Sequence, residues 1–427
     1  MEFPDPETIA GTLDPVEFPG FATVEYDPPA PELGDPAAVA REAVGELPLS
    51  DLEAGASVAV GLGSRGITDI LPIARATIDE LRERGFEPVV VPAMGSHGGA
   101  TPEGQRETLA GIGLTGEALG CPIDTRMETE PVDGDDEPMH LARAALEADA
   151  ILAVNRVKPH TNFDGAVESG ICKMLAVGFG KHRGARAFHR RALDRGYVPV
   201  LIDALERIVG STTVLGGVAI VENFHDRTAR IEGIPTSALP DREADLLERA
   251  REGMPTLPFD ALDVLVVDRI GKDVSGAGMD TNVIGRYEVL NAEDPETPEI
   301  DRIVVRGLTE ATHGNGQGIG LADLTTVDVI ESLDLDQVYT NALTSSSLSK
   351  ARLPVALPTD ELALVAAVST TGSYDPTSIR IAWIEDTGHL SRFRVSEALA
   401  EDPPEHCSID RRERLVFEDG TPRFERQ

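Results

Sequence analysis

The sequence predicts an α/β protein of two lobes, each a mostly parallel sheet with flanking helices, holding a cofactor in the cleft between them. Three observations lead there. Short apolar runs, SVAVGL (57–62), EPVVVPAM (87–94) and ADAILAV (148–154), suit strands covered on both faces. The first two run through glycine-rich loops into helical segments, and the third opens VNRVKPHTNFDG. The order strand then glycine loop restarts at LDVLVVDRIGKDVSGAG, after the Pro-containing MPTLPFD. A chain of 427 residues exceeds one ordinary core, so the expected domains are 1–255 and 256–427.

Along the chain, residues 1–50 are rich in proline and acid and read as an irregular lead with one helix near 35–45. Ile67, Ile70, Leu71, Ala74, Ile78 and Leu81 recur at helical spacing up to Gly85. Thr101 followed by Pro102 is a helix start. Helices are expected at 181–195, 199–209 and 240–253, with a strand at 213–222 between the last two. The second lobe is expected to contain a strand near 302–308, a helix at 321–333 and a strand in SIRIAWIED. The tail after Glu401 is polar and is expected to be loose.

Composition narrows the function. A net charge of −36, from 74 Asp+Glu against 38 Lys+Arg, disfavours nucleic acid and anionic membranes, which bind through Lys/Arg. It suits a salt-rich cytoplasm, where screening tolerates dense charge. No apolar run has the ~18–20 residues of a membrane span, and the N-terminus lacks a basic region followed by an apolar block. Cys121, Cys172 and Cys407 stand too far apart for a metal or disulfide framework.

Five lysines occur, and Lys158, Lys173 and Lys181 crowd into residues 155–195. A lysine at Lys173, inside GICKML, is expected to be desolvated and suited to covalent attachment. His97 in GSHGGAT and His160 in VKPHTNFDG follow successive predicted strands. Two histidines at strand ends suit proton removal on one face of a ligand and return on the other. In GLGSRG, the turn at Gly63 and Ser64 offers N–H groups to an anion, and Arg65 adds a fork. Glycines 178, 180 and 184 suggest close approach of a ligand to the backbone. The loops GKDVSGAGMDTNVIGR, with Lys272, and THGNGQGIG are candidate lids.

With these residues the chain resembles the nickel-dependent lactate racemase family from about Val58 to Leu390, most strongly at GSHGGAT, VKPHTNFDG and GICKML…H. The resemblance implies a nickel-pincer nucleotide, of the pyridinium-3,5-bisthiocarboxylic acid mononucleotide type. It is tethered to a lysine, with a metal-ligating histidine sixteen residues later. Lys173 and His189 have that spacing. By the same resemblance His97 and His160 are the opposed acid/bases and Arg65 grips the substrate carboxylate. Gly63, Ser64, Lys181 and Lys272 are expected to contact the cofactor. The implied activity is racemisation or epimerisation of a 2-hydroxy acid by reversible hydride transfer, with cofactor-synthesis proteins as partners. Leu62 stands where lactate racemase has an acid, so a different, larger substrate such as a sugar acid is expected. The alternatives are an NAD-type 2-hydroxy acid dehydrogenase, for which the glycine fingerprint is incomplete, and a non-catalytic metal- or anion-binding protein.

Overall fold

A computed structural model of the chain describes residues 3–64, 66–133 and 138–427. Contacts divide the chain into two units, Ala30–His160 with Asp164–Met254, and Met1–Pro29 with Thr161–Phe163 and Pro255–Gln427. The break at Pro255 falls within MPTLPFD, residues 254–260. Residues 1–29 differ from expectation, grouping with the C-terminal unit because β1 (Gly20–Tyr26) pairs there with two of its strands.

The N-terminal unit contains β2 (Ser57–Leu62), β3 (Glu87–Pro92), β4 (Thr129–Pro131), β5 (His140–Ala142), β6 (Ala150–Arg156), β7 (Val214–Glu222) and β8 (Thr228–Pro235). Strands β4 and β5 pair only with each other, and the rest form a sheet in the order β3-β2-β6-β7-β8. It is parallel except for β8. Val58, Val60, Leu62, Leu152 and Val154 are fully buried, as the unbroken apolar runs require. The first long helix of this unit after β2, Ile70–Glu83, turns Ile73, Ala74, Ile78 and Leu81 into the core. It begins at Ile70, not Ile67, because Asp69 takes a left-handed φ of 61°. Thr101 Oγ accepts the Gly104 N–H at 3.0 Å, capping Pro102–Gly111 as expected.

The C-terminal unit adds β9 (Ala261–Val267), β10 (Glu299–Val305), β11 (Leu324–Thr326), β12 (Val355–Leu357), β13 (Ile381–Ile384), β14 (Arg392–Ser396), β15 (Cys407–Glu418) and β16 (Thr421–Arg426). With β1 they make a nine-stranded sheet, β12-β11-β10-β9-β13-β14-β1-β15-β16. It is parallel from β12 to β13 and antiparallel onward. The class is therefore α/β, with mixed sheets.

Two expectations fail here. The tail is a hairpin: β15 alternates exposed with more buried positions, the buried Glu413 being paired with Thr23, Arg394 and Arg411, and Asp419 (φ 51°) and Gly420 (φ 77°) form its two-residue turn. Asp-Gly with both φ positive is a favoured hairpin connection. In place of a helix at 321–333 there are β11 and a short helix, Val327–Glu331. The β-branched Thr325 and Thr326 extend the backbone, and Thr326 Oγ then caps the Val329 N–H at 3.4 Å. No helix among the described residues is long and apolar enough to cross a membrane.

Candidate active site

Adjacent parallel strands β3, β2 and β6 deliver the loops of His97, of Gly63–Ser64 and of His160. The carboxyl ends of parallel strands are where ligands collect in such sheets. Ser64 Oγ lies 2.5 Å from His97 Nδ1. With the hydroxyl donating, Nδ1 accepts and the neutral ring carries its proton on Nε2. In that arrangement Ser64 orients the exposed His97. Gly63 faces Met174 and Asn155, whose side-chain atoms would lie 3.4 and 3.5 Å from a Cβ there. This brings the end of β2 beside the Lys173 segment.

The His160 loop closes on one carboxylate. Glu168, 1 % exposed, accepts the His160 N–H at one oxygen and the Gly165 N–H at the other, 3.1 Å away. Arg251 Nη2 reaches the second oxygen at 2.5 Å. Burial pushes the Glu168 carboxyl up to about 7, opposed by the His160 N–H and the Arg251 charge. The residues leading into the loop pair back on its end, Lys158 N–H to Ser169 O at 2.9 Å.

Lys173 is half-buried and ends a helical turn, Ile171–Lys173, that passes directly into a π-helical turn, Met174–Gly178. Such turns recur at functional sites. His189 lies on the helix Lys181–Arg195. Its Nδ1 is buried without a hydrogen-bond partner, and its ring packs edge-on to Phe188 at 5.6 Å and Tyr197 at 6.4 Å. Burial, and secondly the Lys173 ammonium, lower its pKa to about 4. A neutral imidazole with a buried, unpartnered nitrogen near a lysine ammonium is one arrangement able to ligate a metal. His182, on the same helix, is exposed and does not share this environment.

Lys181 differs from expectation. It has no exposed surface, and its Nζ donates to Pro92 O at 2.7 Å and Gln105 Oε1 at 2.8 Å. Gln105, also fully buried, passes its amide N–H to Gly95 O at 3.1 Å and His97 O at 3.4 Å. Lys181 is thus a strut beneath the His97 loop. Burial lowers its pKa to about 8, partly offset by Asp124. The nearby glycines admit neighbouring parts of this chain. A Cβ at Gly178 would lie 2.6 Å from Ala93 O, and one at Gly180 or Gly184 would lie 3.1 or 3.0 Å from His140 O.

In the C-terminal unit, Lys272 Nζ donates to Gly276 O of its own loop at 2.7 Å. The loops at 271–286 and 312–320 interlock, since a Cβ at Gly278 would meet Gln317 O and one at Gly318 would meet Ala277 O. Lys350, 2 % exposed and not singled out from sequence, donates to Thr161 O at 3.0 Å and Asn162 Oδ1 at 2.6 Å, residues of the same unit. Burial and Lys272 lower its pKa to about 8. Among the described residues, Glu385, Asp386 and His389 cluster tightly enough for a cation, and Arg269 already pairs with both acids.

Arg65 lies outside the described residues. Glu168, Gln105 and Arg251 were missed because a buried polar residue that holds a loop looks like any surface residue in the sequence. No family model, curated protein or solved structure matches this chain.

Proposed function

We propose that this protein is a racemase or epimerase of a 2-hydroxy acid that uses a nickel-pincer nucleotide. The observation that carries the reading is His189, whose buried, unpartnered Nδ1 belongs to a neutral ring under the influence of the Lys173 ammonium. Lys173 would hold the cofactor covalently and His189 would ligate its metal. When bound, the group supplies a reversible acceptor for the substrate's Cα hydride.

The chain's own residues supply binding and proton transfer. Arg65 is assigned the substrate carboxylate on its place in GLGSRG. His97, its Nδ1 engaged by Ser64, would exchange the hydroxyl proton through Nε2. His160, its backbone fixed by Glu168, would serve the opposite face. Inversion needs a proton acceptor on one side and a donor on the other, and a pair of imidazoles provides both near neutral pH. The buried strut Lys181–Gln105 holds the His97 loop against collapse when substrate arrives. Leu62 stands where lactate racemase has an acid and is fully buried in β2, so that acid's contact has no counterpart here and a 2-hydroxy acid other than lactate, larger than it, is the proposed substrate.

The test is a panel of enantiopure 2-hydroxy acids incubated with protein co-produced with the cofactor-synthesis proteins. Loss of optical purity is expected for at least one acid larger than lactate, and each of His97→Ala and His160→Ala abolishes it. Racemisation that survives either substitution refutes the pair of acid/bases.

A further inference from the structure

One helix touches both reactive segments of the N-terminal unit. Asp241–Gly253 carries Glu243 near its start and Arg251 near its end, about 12 Å apart along the axis at helical rise. Leu246 and Leu247, between them, are fully buried and anchor the helix in the core. Glu243 is itself without exposed surface. Its Oε2 accepts the Cys172 N–H at 3.0 Å, one residue before Lys173. That carboxyl sits at the start of the turn that bears the lysine, and burial pushes its pKa up to about 7, opposed by the Cys172 N–H. Gly170 makes room for it, since a Cβ there would lie 2.4 Å from Glu243 Oε1.

At the other end, Arg251 Nη2 reaches three acceptors of the loop that follows His160. They are Asp164 Oδ1 at 2.5 Å, Gly165 O at 2.8 Å and Glu168 Oε1 at 2.5 Å. Glu168 in turn takes the N–H of His160 itself. The two N–H groups of Nη2 are shared among these three acceptors, and the charge-assisted bonds tie the loop to the helix. The surface pairing of Arg251 with Glu248 on the same helix contributes little by comparison.

We propose that the Asp241–Gly253 helix is a brace that sets the Lys173 turn and the His160 loop in fixed register, with Glu243 and Arg251 as its positioning residues. Its consequence for turnover rests on the racemase reading above, and its structural part does not. Neither residue touches the reacting atoms. Each acts through the backbone of a segment that carries a reactive group, and displacement of such a group by ~1 Å is worth about 100-fold in rate.

The experiment is hydrogen exchange on the full chain, read by mass spectrometry over peptides covering 158–168 and 169–178, with racemisation kinetics alongside. Arg251→Met is expected to speed exchange in the first peptide at least tenfold and leave the second unchanged. Glu243→Leu, which leaves the Cys172 N–H without its acceptor, reverses that pattern and speeds chemical labelling of the Lys173 amine in cofactor-free protein. Arg251→Lys restores part of the protection, and Arg249→Ala, an exposed site on the same helix, changes neither peptide. In loaded protein Arg251→Met lowers kcat ten- to a hundredfold with KM within threefold. Should Arg251→Met fail to fold, the Arg251→Lys comparison stands in its place, because loosening confined to 158–168 is still required. Uniform loosening of both peptides, or unchanged exchange in either variant, overturns the brace. Local loosening with unchanged kcat overturns its positioning role. Activity retained by His160→Ala instead overturns the racemase reading and leaves the exchange result standing.

Discussion

Lys181→Met separates a strut from a ligand contact. The substitution nearly conserves volume and removes an ammonium that donates to Pro92 O and Gln105 Oε1. Two buried acceptors left unpaired cost about 1–3 kcal/mol each. Against this, lowering the lysine pKa from 10.5 to about 8 means that the charged form is penalised by about 3 kcal/mol at neutral pH. The net at pH 7 is expected between a gain of about 1 kcal/mol and a loss of about 3 kcal/mol for the variant. The pH dependence is sharper. From about 8 to 10.5 the unfolded state holds the proton that the folded state has released, so wild-type stability rises with pH across that window. The neutral amine still donates its hydrogen bonds. Lys181→Met has no such group, and the gap between the proteins should widen by about 2–3 kcal/mol between pH 7 and 10. Urea unfolding at the two pH values measures it, with exchange at residues 94–105 reporting the His97 loop. A gap that stays constant or narrows refutes the strut, as does a variant whose only defect is nickel retention.

Other perturbations follow from the same contacts. Ser64→Ala removes the group that engages His97 Nδ1 and should lower kcat about tenfold, the worth of one hydrogen bond, with a shifted pH–rate profile and unchanged thermal stability. Gly178→Ala places a Cβ 2.6 Å from the Ala93 carbonyl and should cost about 1–3 kcal/mol by overpacking in urea unfolding, whereas alanine at Gly111, which has open space, is tolerated. The folded carboxyl of Glu168 is raised to about 7 from 4.5. Its contribution is therefore full below about 4.5 and lost as pH rises through 7. Glu168→Gln should flatten the stability profile across that window, and an unchanged profile would contradict the assignment.

Much of the N-terminal unit was legible in the sequence. Unbroken apolar runs and 3.6-residue periodicity are local signals, and they located β2, β3, β6 and the helices between them. The loops of His97 and His160 do follow successive strands, β3 and β6, as expected, whereas the pairing of Lys173 with His189 came only from the family resemblance. What escaped depends on distant partners. Strand β1, GFATVEY, has β-branched and aromatic residues, but it lies in a proline- and acid-rich lead and pairs with β14 and β15 from the far end of the chain. The β15–β16 hairpin was written in its alternation and its Asp419-Gly420 turn, but dense charge disguised it as a loose tail. Glycines 178, 180 and 184 looked like ligand clearance and instead admit the carbonyls of Ala93 and His140. Lys181 was expected to contact the cofactor, and only the fold shows that Pro92 O and Gln105 take its ammonium.

The most direct test of the central claim is the intact mass and nickel content of the chain produced together with the cofactor-synthesis proteins. An adduct on Lys173 and stoichiometric nickel are expected. Lys173→Ala should lose both, and His189→Ala should keep the adduct while losing the metal. An unmodified chain that still interconverts 2-hydroxy acid enantiomers, or nickel binding indifferent to both substitutions, would contradict the account.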